Sequence, residues 1–467
     1  MNPLDPLDAA MMTAELLSNP LHVGAALILS PPRDAGPDYV DQLHREALTS
    51  DDPVDPRLRR YPHRGIDTGG IWVWRETETL DMSRHCQRRT ASPGRDGLWR
   101  LIGDLHAQPL DRSRPLWMSY LIDGFDSGQF AFFVKIHHSV IDGVAGFRMI
   151  ADALSTDPTQ RSAPPFYAAH HLESAVPQIG RNTNPLGPLR LMVGAATSSA
   201  GLIERVVTGE VSNLVESLAG RTTVLPFSAP YTRFNRRLGR ERVVAADSLP
   251  KDRIKAIQEV AGVTGNDVVT TAIAGAVRDW LLDRAELPKK SLVAICPISV
   301  RGDVADAADG RHGNRFGAWL CPLGTNLADP AARLELIHQS MSDGKHWVAK
   351  RGSAASLLTV AASMAATVLP PLLPLTPKLP TGYNLPISNL RGPQSQMYWN
   401  GAHLQEIYPV SAVYDGQTLN VTTCSYAGRI GFGYVAGRDA VPDIARLTAL
   451  TGKALTELES AVGVRRA

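Results

Sequence analysis

A chain of 467 residues is longer than one ordinary hydrophobic core supports, so two domains with a cleft between them are expected. Its 44% hydrophobic and 20% charged residues are the composition of a folded globular protein, neither disordered nor uniformly membrane-embedded. With 48 Lys and Arg against 46 Asp and Glu the net charge is +2, which excludes a nucleic-acid footprint at the level of the whole chain.

The opening "MNPLDPLDAAMM" carries Asp5, Asp8 and two prolines with no basic residue, unlike a secretory signal. The apolar, partly β-branched run "LHVGAALIL" (21–29), stopped by Pro31 and Pro32, predicts a buried strand. The four cysteines, Cys86, Cys296, Cys321 and Cys424, are scattered without a CxxC pair, so neither a disulfide framework nor a zinc site is expected. Cysteine usage and N-terminus together point to a cytoplasmic protein. A second strand, "QFAFFVKI" (129–136), delivers His137 and His138 at its C-terminal end. After it Val144, Phe147, Ile150 and Leu154 follow the three-and-four spacing of an amphipathic helix.

From about 157 to 190 the chain is rich in Pro, Gly, Ser and Asn, a linker composition that marks the domain junction, and 189–219 returns to helical character. Residues 241–287 predict strand, helix, turn and long helix, with Thr264 and Asn266 placed to cap the second helix and Asp267 in its first turn. "LVAICPISV" (292–300) is another strand, closed by Arg301 and Gly302. Residues 353–376 form the longest uncharged run, but Pro370, Pro371 and Pro374 break it; an amphipathic segment lying on the protein or in a lipid interface is expected rather than a membrane span. The division expected is an N-terminal domain over 1–180, a helical connection over 181–225 and a C-terminal domain over 226–467.

The stretch "KIHHSVIDGVAG" (135–146) admits three chemical readings. Neutral imidazole is a good general base near pH 7, Asp142 can lock the loop by accepting from an arginine or backbone N–H groups, and Gly143 permits a turn or close ligand approach. Metal ligation is the second reading, but neighbours on an extended strand point to opposite faces, so His137 and His138 do not easily converge on one ion; no metal is expected. Ordinary core histidines are the third. The opposite-face geometry suggests a division in which one imidazole packs inward and the other faces a channel.

Seven ordered segments widen the picture: "PLDAAMMTAE" with "NPLHVGA" (6–25), "PLDRSRPLW" (109–117), "HHSVIDG" (137–143), "GVTGNDVVTTAIAGAVR" (262–278), "PISVR" (297–301), "GNRFG" (313–317) and "NLPISNLRGP" (384–393). Nearly end to end, the sequence resembles the bacterial wax ester synthase/diacylglycerol acyltransferase family, within the CoA-dependent acyltransferases that share an HxxxD loop. The resemblance implies an α/β (α+β) fold of two chloramphenicol-acetyltransferase-like domains, each a mostly mixed β-sheet flanked by helices, meeting along a tunnel. It makes His138 the catalytic base, with Asp142 holding its loop and His137 and Gly143 in support.

Asn266, Ser299 and Asn389 are candidates for an oxyanion-stabilising or site-shaping role; against it stand a helix cap, a strand-end contact and a Gly-Pro turn respectively. Arg301 suits a pair with Asp142, a CoA phosphate or an unrelated salt bridge. Pro115, Leu116 and Trp117 are candidates for substrate binding, with plain packing as the competing reading and Trp117 placed to line the acyl channel. The basic clusters "RYPHR" and "CQRRT" are candidates for CoA phosphates or plain solvated surface. Arg391 departs from the family block, and disfavours an apolar acceptor only if it faces the channel.

The activity implied is O-acyl transfer from acyl-CoA, a co-substrate and not a cofactor, to diacylglycerol or a long-chain alcohol, in the cytoplasm or at the surface of the inner membrane or a lipid droplet. Two alternatives are a non-catalytic lipid-binding or droplet-associated protein on the same scaffold, and transfer to another secondary alcohol.

Overall fold

The computed structural model describes residues 2–16, 19–126, 128–141, 143–169, 224, 228–300, 315–347 and 381–464. Segment 353–376, most of the expected linker and helical connection, Asp142 and Arg301 lie outside the described residues.

The strands are β1 (Asn2–Pro3), β2 (His22–Ser30), β3 (Arg60–His63), β4 (Val73–Glu76), β5 (Cys86–Thr90), β6 (Trp117–Asp123), β7 (Phe130–His137), β8 (Arg242–Pro250), β9 (Val293–Val300), β10 (Arg315–Pro322), β11 (Leu385–Arg391), β12 (Tyr398–Trp399), β13 (Ala402–Val410), β14 (Leu419–Tyr426) and β15 (Arg429–Gly437). The helices used below are α1 (Pro6–Ala14), α2 (Tyr39–Thr49), α3 (Met82–His85), α4 (Arg95–Ala107), α5 (Gly143–Asp152), α6 (Lys251–Ala261), α7 (Gly265–Leu282), α8 (330–347) and α9 (Ile444–Ala461).

Among the described residues the strands form two six-stranded mixed sheets, ordered β12-β13-β2-β7-β6-β5 and β10-β9-β11-β14-β15-β8, and a three-stranded sheet β1-β4-β3. Strand β7, "FAFFVKIH", is buried at every position, as a central strand covered on both faces must be. Sheet membership and chain order part company once. Strand β13 runs antiparallel to β2, pairing Leu29 with Leu404 and Gly24 with Val410, so the C-terminal half contributes β12 and β13 to the N-terminal sheet before β14 returns to the second. The crossing is tight: a Cβ on Gly433 would overlap the carbonyl oxygen of Pro409, and one on Gly431 would lie 2.6 Å from that of Ile407. Glycine in β15 is what lets β13 approach this closely.

Helix α4 joins the halves from the other side. Leu98, Ile102 and Leu105 pack on Ala26, Ile28 and Phe133 of the first sheet, in one core cluster with Val244 and Val435 of the second. At Gly103 a Cβ would come 2.8 Å from the carbonyl oxygen of Arg242 in β8. Among the described residues no single helix is long and apolar enough to cross a membrane.

Candidate active site

Strand β7 delivers the two histidines to a turn in which Val140 N–H donates to His137 O at 2.9 Å. Two of the sequence blocks fasten that turn through their backbones. His137 N–H donates to Leu116 O and His138 N–H to Leu21 O, each at 2.9 Å. The two imidazoles then part. His137 is 1% exposed and its Nδ1 accepts from the Ser139 backbone N–H at 3.1 Å, which places the ring proton on Nε2. That nitrogen lies 3.3 Å from Glu15 Oε2. His138, one residue on, is half-buried.

Glu15, just beyond α1, is the buried partner that sequence reasoning missed. Its Oε2 accepts from Arg112 Nη2 at 2.7 Å and its Oε1 from Leu21 N–H at 3.2 Å. Burial pushes its carboxyl up, but His137 and Arg112 outweigh that and hold it below the usual glutamate range. Arg112 falls inside the "PLDRSRPLW" block, yet nothing in the spacing of the sequence joins it to Glu15. Met12 adds its sulfur, 3.6 Å from Ser139 Oγ.

Behind His137 stands a buried set of bases. His22, its register partner on β2, has Nε2 2.7 Å from His106 O, and Lys135 Nζ donates to Leu105 O and Gln108 O at 2.6 and 2.7 Å. Burial pushes Lys135 down to about 7, His106 down to about 3, and His22 well down. Arg242 of β8, pushed down to about 10 by burial, ties this region to the second half by donating to Asn19 Oδ1 at 2.9 Å.

The second half reaches the histidine loop through α5. A Cβ on Gly392, just after β11, would stand 3.3 Å from the Phe147 ring. On β11 itself Asn389 is exposed and points its Nδ2 at Asn266 Oδ1, 3.4 Å away, so two asparagines far apart in sequence face one another. Thr264, not Asn266, caps α7: Asp267 N–H donates to Thr264 Oγ1 and Thr264 N–H to Asp267 Oδ2. The cap explanation of Asn266 therefore does not hold, and Asn389 lies in a strand rather than a turn. Asp267 also meets His338 Nδ1 of α8 at 2.8 Å, a second partner the sequence did not disclose.

Gly143 opens α5 with free space where a Cβ would sit. Ser299 lies on β9 opposite Phe316; its side chain lies outside the described residues, as do Asp142 and Arg301. Pro115, Leu116 and Trp117 are all buried. Trp117 donates its indole N–H to Leu58 O at 2.9 Å and stacks on His85, so its side chain is a core wall. Arg391 is exposed. In the cluster "CQRRT", Arg88 is already paired with Asp41 and Asp123.

Comparison with known proteins identifies this arrangement. Residues 4–269 match the wax ester synthase/diacylglycerol acyltransferase catalytic domain and residues 312–459 the WS/DGAT C-terminal domain. The chain belongs to the wax ester synthase/diacylglycerol acyltransferase family. It is an acyltransferase of that family, built on the two-domain fold expected from the sequence. A candidate diacylglycerol O-acyltransferase of Mycobacterium tuberculosis is 37% identical over 474 residues, covering 100% of this chain and 92% of the relative. A second from the same species is 34% identical, covering 99% of this chain and all of its own. The solved wax ester synthase/diacylglycerol acyltransferase of Marinobacter aquaeolei VT8 superposes with a TM-score of 0.78 at 29% identity, covering 99% of this chain and 100% of that one. The first condensation domain of the CDA synthetase, at 14% identity, TM-score 0.55 and coverage of 100% and 97%, shares the fold alone.

Proposed function

We propose that this acyltransferase moves a long-chain acyl group from acyl-CoA to the free hydroxyl of diacylglycerol, with a long-chain alcohol as a second acceptor class, and that His138 is the general base. The observation that carries this reading is the separation of the two imidazoles. His137 is buried and held by Glu15 and Ser139, whereas His138 is half-buried on a turn that both neighbouring blocks hold by the backbone. A binding protein has no use for an oriented base beside a partly open one.

The chemistry balances without metal, redox group or further cofactor. His138 takes the acceptor's hydroxyl proton as the oxygen attacks the thioester carbonyl; the tetrahedral oxyanion collapses, the C–S bond breaks, and the imidazolium returns the proton to the departing CoA thiolate. General-base assistance of this kind is worth roughly a hundred- to ten-thousandfold. Asn389 and Asn266 are suited to face the developing oxyanion, and Asp142, with Arg301, to hold the loop. Substrates would approach from two sides of the junction between halves.

The test is incubation of purified protein with labelled palmitoyl-CoA and, separately, diolein and hexadecanol, for wild type and His138→Ala. Product from one acceptor that disappears in the variant is the expected result and names the substrate. Equal background in both proteins would establish the non-catalytic lipid-binding alternative.

A further inference from the structure

Five large hydrophobic side chains stand exposed among the described residues, Leu16, Ile66, Ile71, Val260 and Leu282, and three of them belong to one small region beside the first sheet. Ile66 is 101% exposed and Ile71 62%, both on the loop that joins β3 to β4; Leu16, at 54%, follows α1. Trp72 connects them, donating its indole N–H to Thr13 Oγ1 at 3.0 Å while Thr13 O accepts from Leu16 N–H at 3.1 Å. Scattered exposed isoleucines are ordinary on a protein surface; a fully exposed one at the tip of a fastened loop, with two apolar neighbours, is not.

The loop is fastened from within. Gly70 N–H donates to Gly65 O at 2.9 Å, Arg64 Nε donates to Gly70 O at 2.7 Å, and Asp67 ties His63 to Arg75 across the hairpin. Gly69 and Gly70 sit at φ +60° and +76°, a backbone geometry that turns the chain sharply and holds Ile66 and Ile71 outward.

The surroundings are aromatic, with arginines beside them. Of the five arginines between 57 and 75, Arg75 is paired with Asp67 and Arg59 donates to the carbonyls of Thr77 and Glu78, which leaves Arg64 as the exposed one without an acidic partner in contact. Asp55 just before them takes Arg57, and Glu76 just after them stands near Arg60. The guanidiniums of Arg60 and Arg64 lie over the rings of Trp74 and Trp72 at 5.6 and 5.8 Å. Exposed isoleucines beside indoles, with Arg64 and Arg60 over those indoles, form a combination that suits the boundary between acyl chains and anionic headgroups.

We infer that the 64–72 hairpin, with Leu16, is a docking surface for an anionic phospholipid layer. It stands one helix away from the chemistry: Thr13 of α1 holds Trp72, while Met12 and Glu15 meet Ser139 and His137. On the proposed function, upon which this meaning of the surface rests, docking would present the enzyme to acceptors that live in such a layer. It also assigns the cluster "RYPHR" to headgroup phosphates in place of CoA.

The experiment uses the full chain and sedimentation with phosphatidylcholine vesicles made with and without phosphatidylglycerol, with no turnover required. Wild type is expected to sediment with the anionic vesicles and to be released by salt. The double variant Ile66→Ser with Ile71→Ser is expected to lose roughly a hundredfold in partitioning, about tenfold per isoleucine. Arg60→Gln with Arg64→Gln should lose about fivefold per arginine. The isoleucine variant should keep the wild-type melting temperature and its rate with a water-soluble short-chain alcohol. Wild-type protein that ignores anionic vesicles, or variants that bind them as well as wild type, would overturn the inference. So would an isoleucine variant that turns a dimer into monomers without affecting sedimentation, which would make the patch a self-association surface. An arginine variant with a raised KM for acyl-CoA and unchanged sedimentation would return the cluster to CoA. Vesicle binding by an inactive protein would defeat the proposed activity and leave the docking surface standing; an active protein that never meets vesicles does the reverse.

Discussion

Glu15 Oε2 stands 3.3 Å from His137 Nε2, without the alignment of a hydrogen bond, and accepts from Arg112 Nη2 at 2.7 Å, so a carboxylate from the segment after α1 lies against the buried histidine of the pair. The carboxylate is half of a charge-assisted contact in a site 8% exposed at Glu15, where such contacts contribute about 1.5–3 kcal/mol. Glu15→Gln keeps the shape and removes the charge. If His137 sets the path of the turn that carries His138, kcat falls roughly ten- to hundredfold while KM for acyl-CoA stays near wild type. Because the folded carboxyl ionises below its ordinary range, its stabilisation is complete above the ordinary glutamate pKa and is lost as pH falls through the depressed value. Melting curves of wild type and Glu15→Gln should therefore converge in acid; a constant gap would contradict the ion-pair account.

The paired asparagines offer a separate check on the site. Asn389 is exposed and Asn266 half-buried, so Asn389→Ala should change stability by less than about 0.5 kcal/mol. Loss of an oxyanion donor costs roughly a hundredfold or more in kcat. A normal melting temperature with a much reduced kcat is expected for Asn389→Ala, and for Asn266→Ala, whose helix keeps its Thr264 cap. Unchanged turnover in both would confine the pair to surface structure.

The parts of this molecule legible in the sequence are those whose signal is local. Strand β7 is an unbroken apolar run, α5 repeats Val144, Phe147 and Ile150 at helical spacing, and the Thr264–Asp267 cap spans three residues, so each declares itself within a short window. The Glu15 contact does not, because its partners lie at 112 and 137 and neither flank of Glu15 marks it as anything but a helix-end carboxylate. Nor does the lending of β13 to the first sheet. "AHLQEIYPV" reads as a half-buried strand whichever sheet receives it, and its partner β2 lies at the other end of the chain. The asparagine pair was nameable residue by residue from the family blocks, but its mutual contact follows from β11 lying beside the start of α7, which no spacing encodes.

The packing of β13 against β15 can be tested at one atom. Adding a methyl at Gly433 places it against the carbonyl of Pro409, backbone against backbone, where no side chain can swing aside. Overpacking of this sort costs about 1–3 kcal/mol. Gly433→Ala is expected to lower the melting temperature by several degrees, whereas Gly428→Ala, with nothing within 4 Å of its added methyl but a φ of +80°, should suffer only the smaller backbone penalty. Equal melting temperatures for wild type and Gly433→Ala would mean that the two strands are not held this closely.

His106 makes the acid side of the stability curve predictable. Burial, with Lys135 and Arg242 nearby, pushes its pKa down to about 3, so the folded chain keeps it neutral where the unfolded chain protonates it. Between the ordinary histidine value and about pH 3 the unfolded state binds the extra proton, and stability falls as pH falls, by about 1.4 kcal/mol per pH unit for each such group. His22, also pushed down by burial, adds in the same direction. Lys135, pushed down to about 7, acts higher: between there and its ordinary value only the unfolded chain holds the proton, so stability rises with pH. His106→Leu removes one acid-sensitive group while leaving His22 and Lys135 their bonds, since those run to the backbone carbonyls of residues 105, 106 and 108. The variant should melt higher than wild type at pH 5 and much the same as wild type at pH 8. Melting temperatures for the two proteins that run parallel from pH 8 to pH 5 would show that the imidazole is not held neutral by the fold.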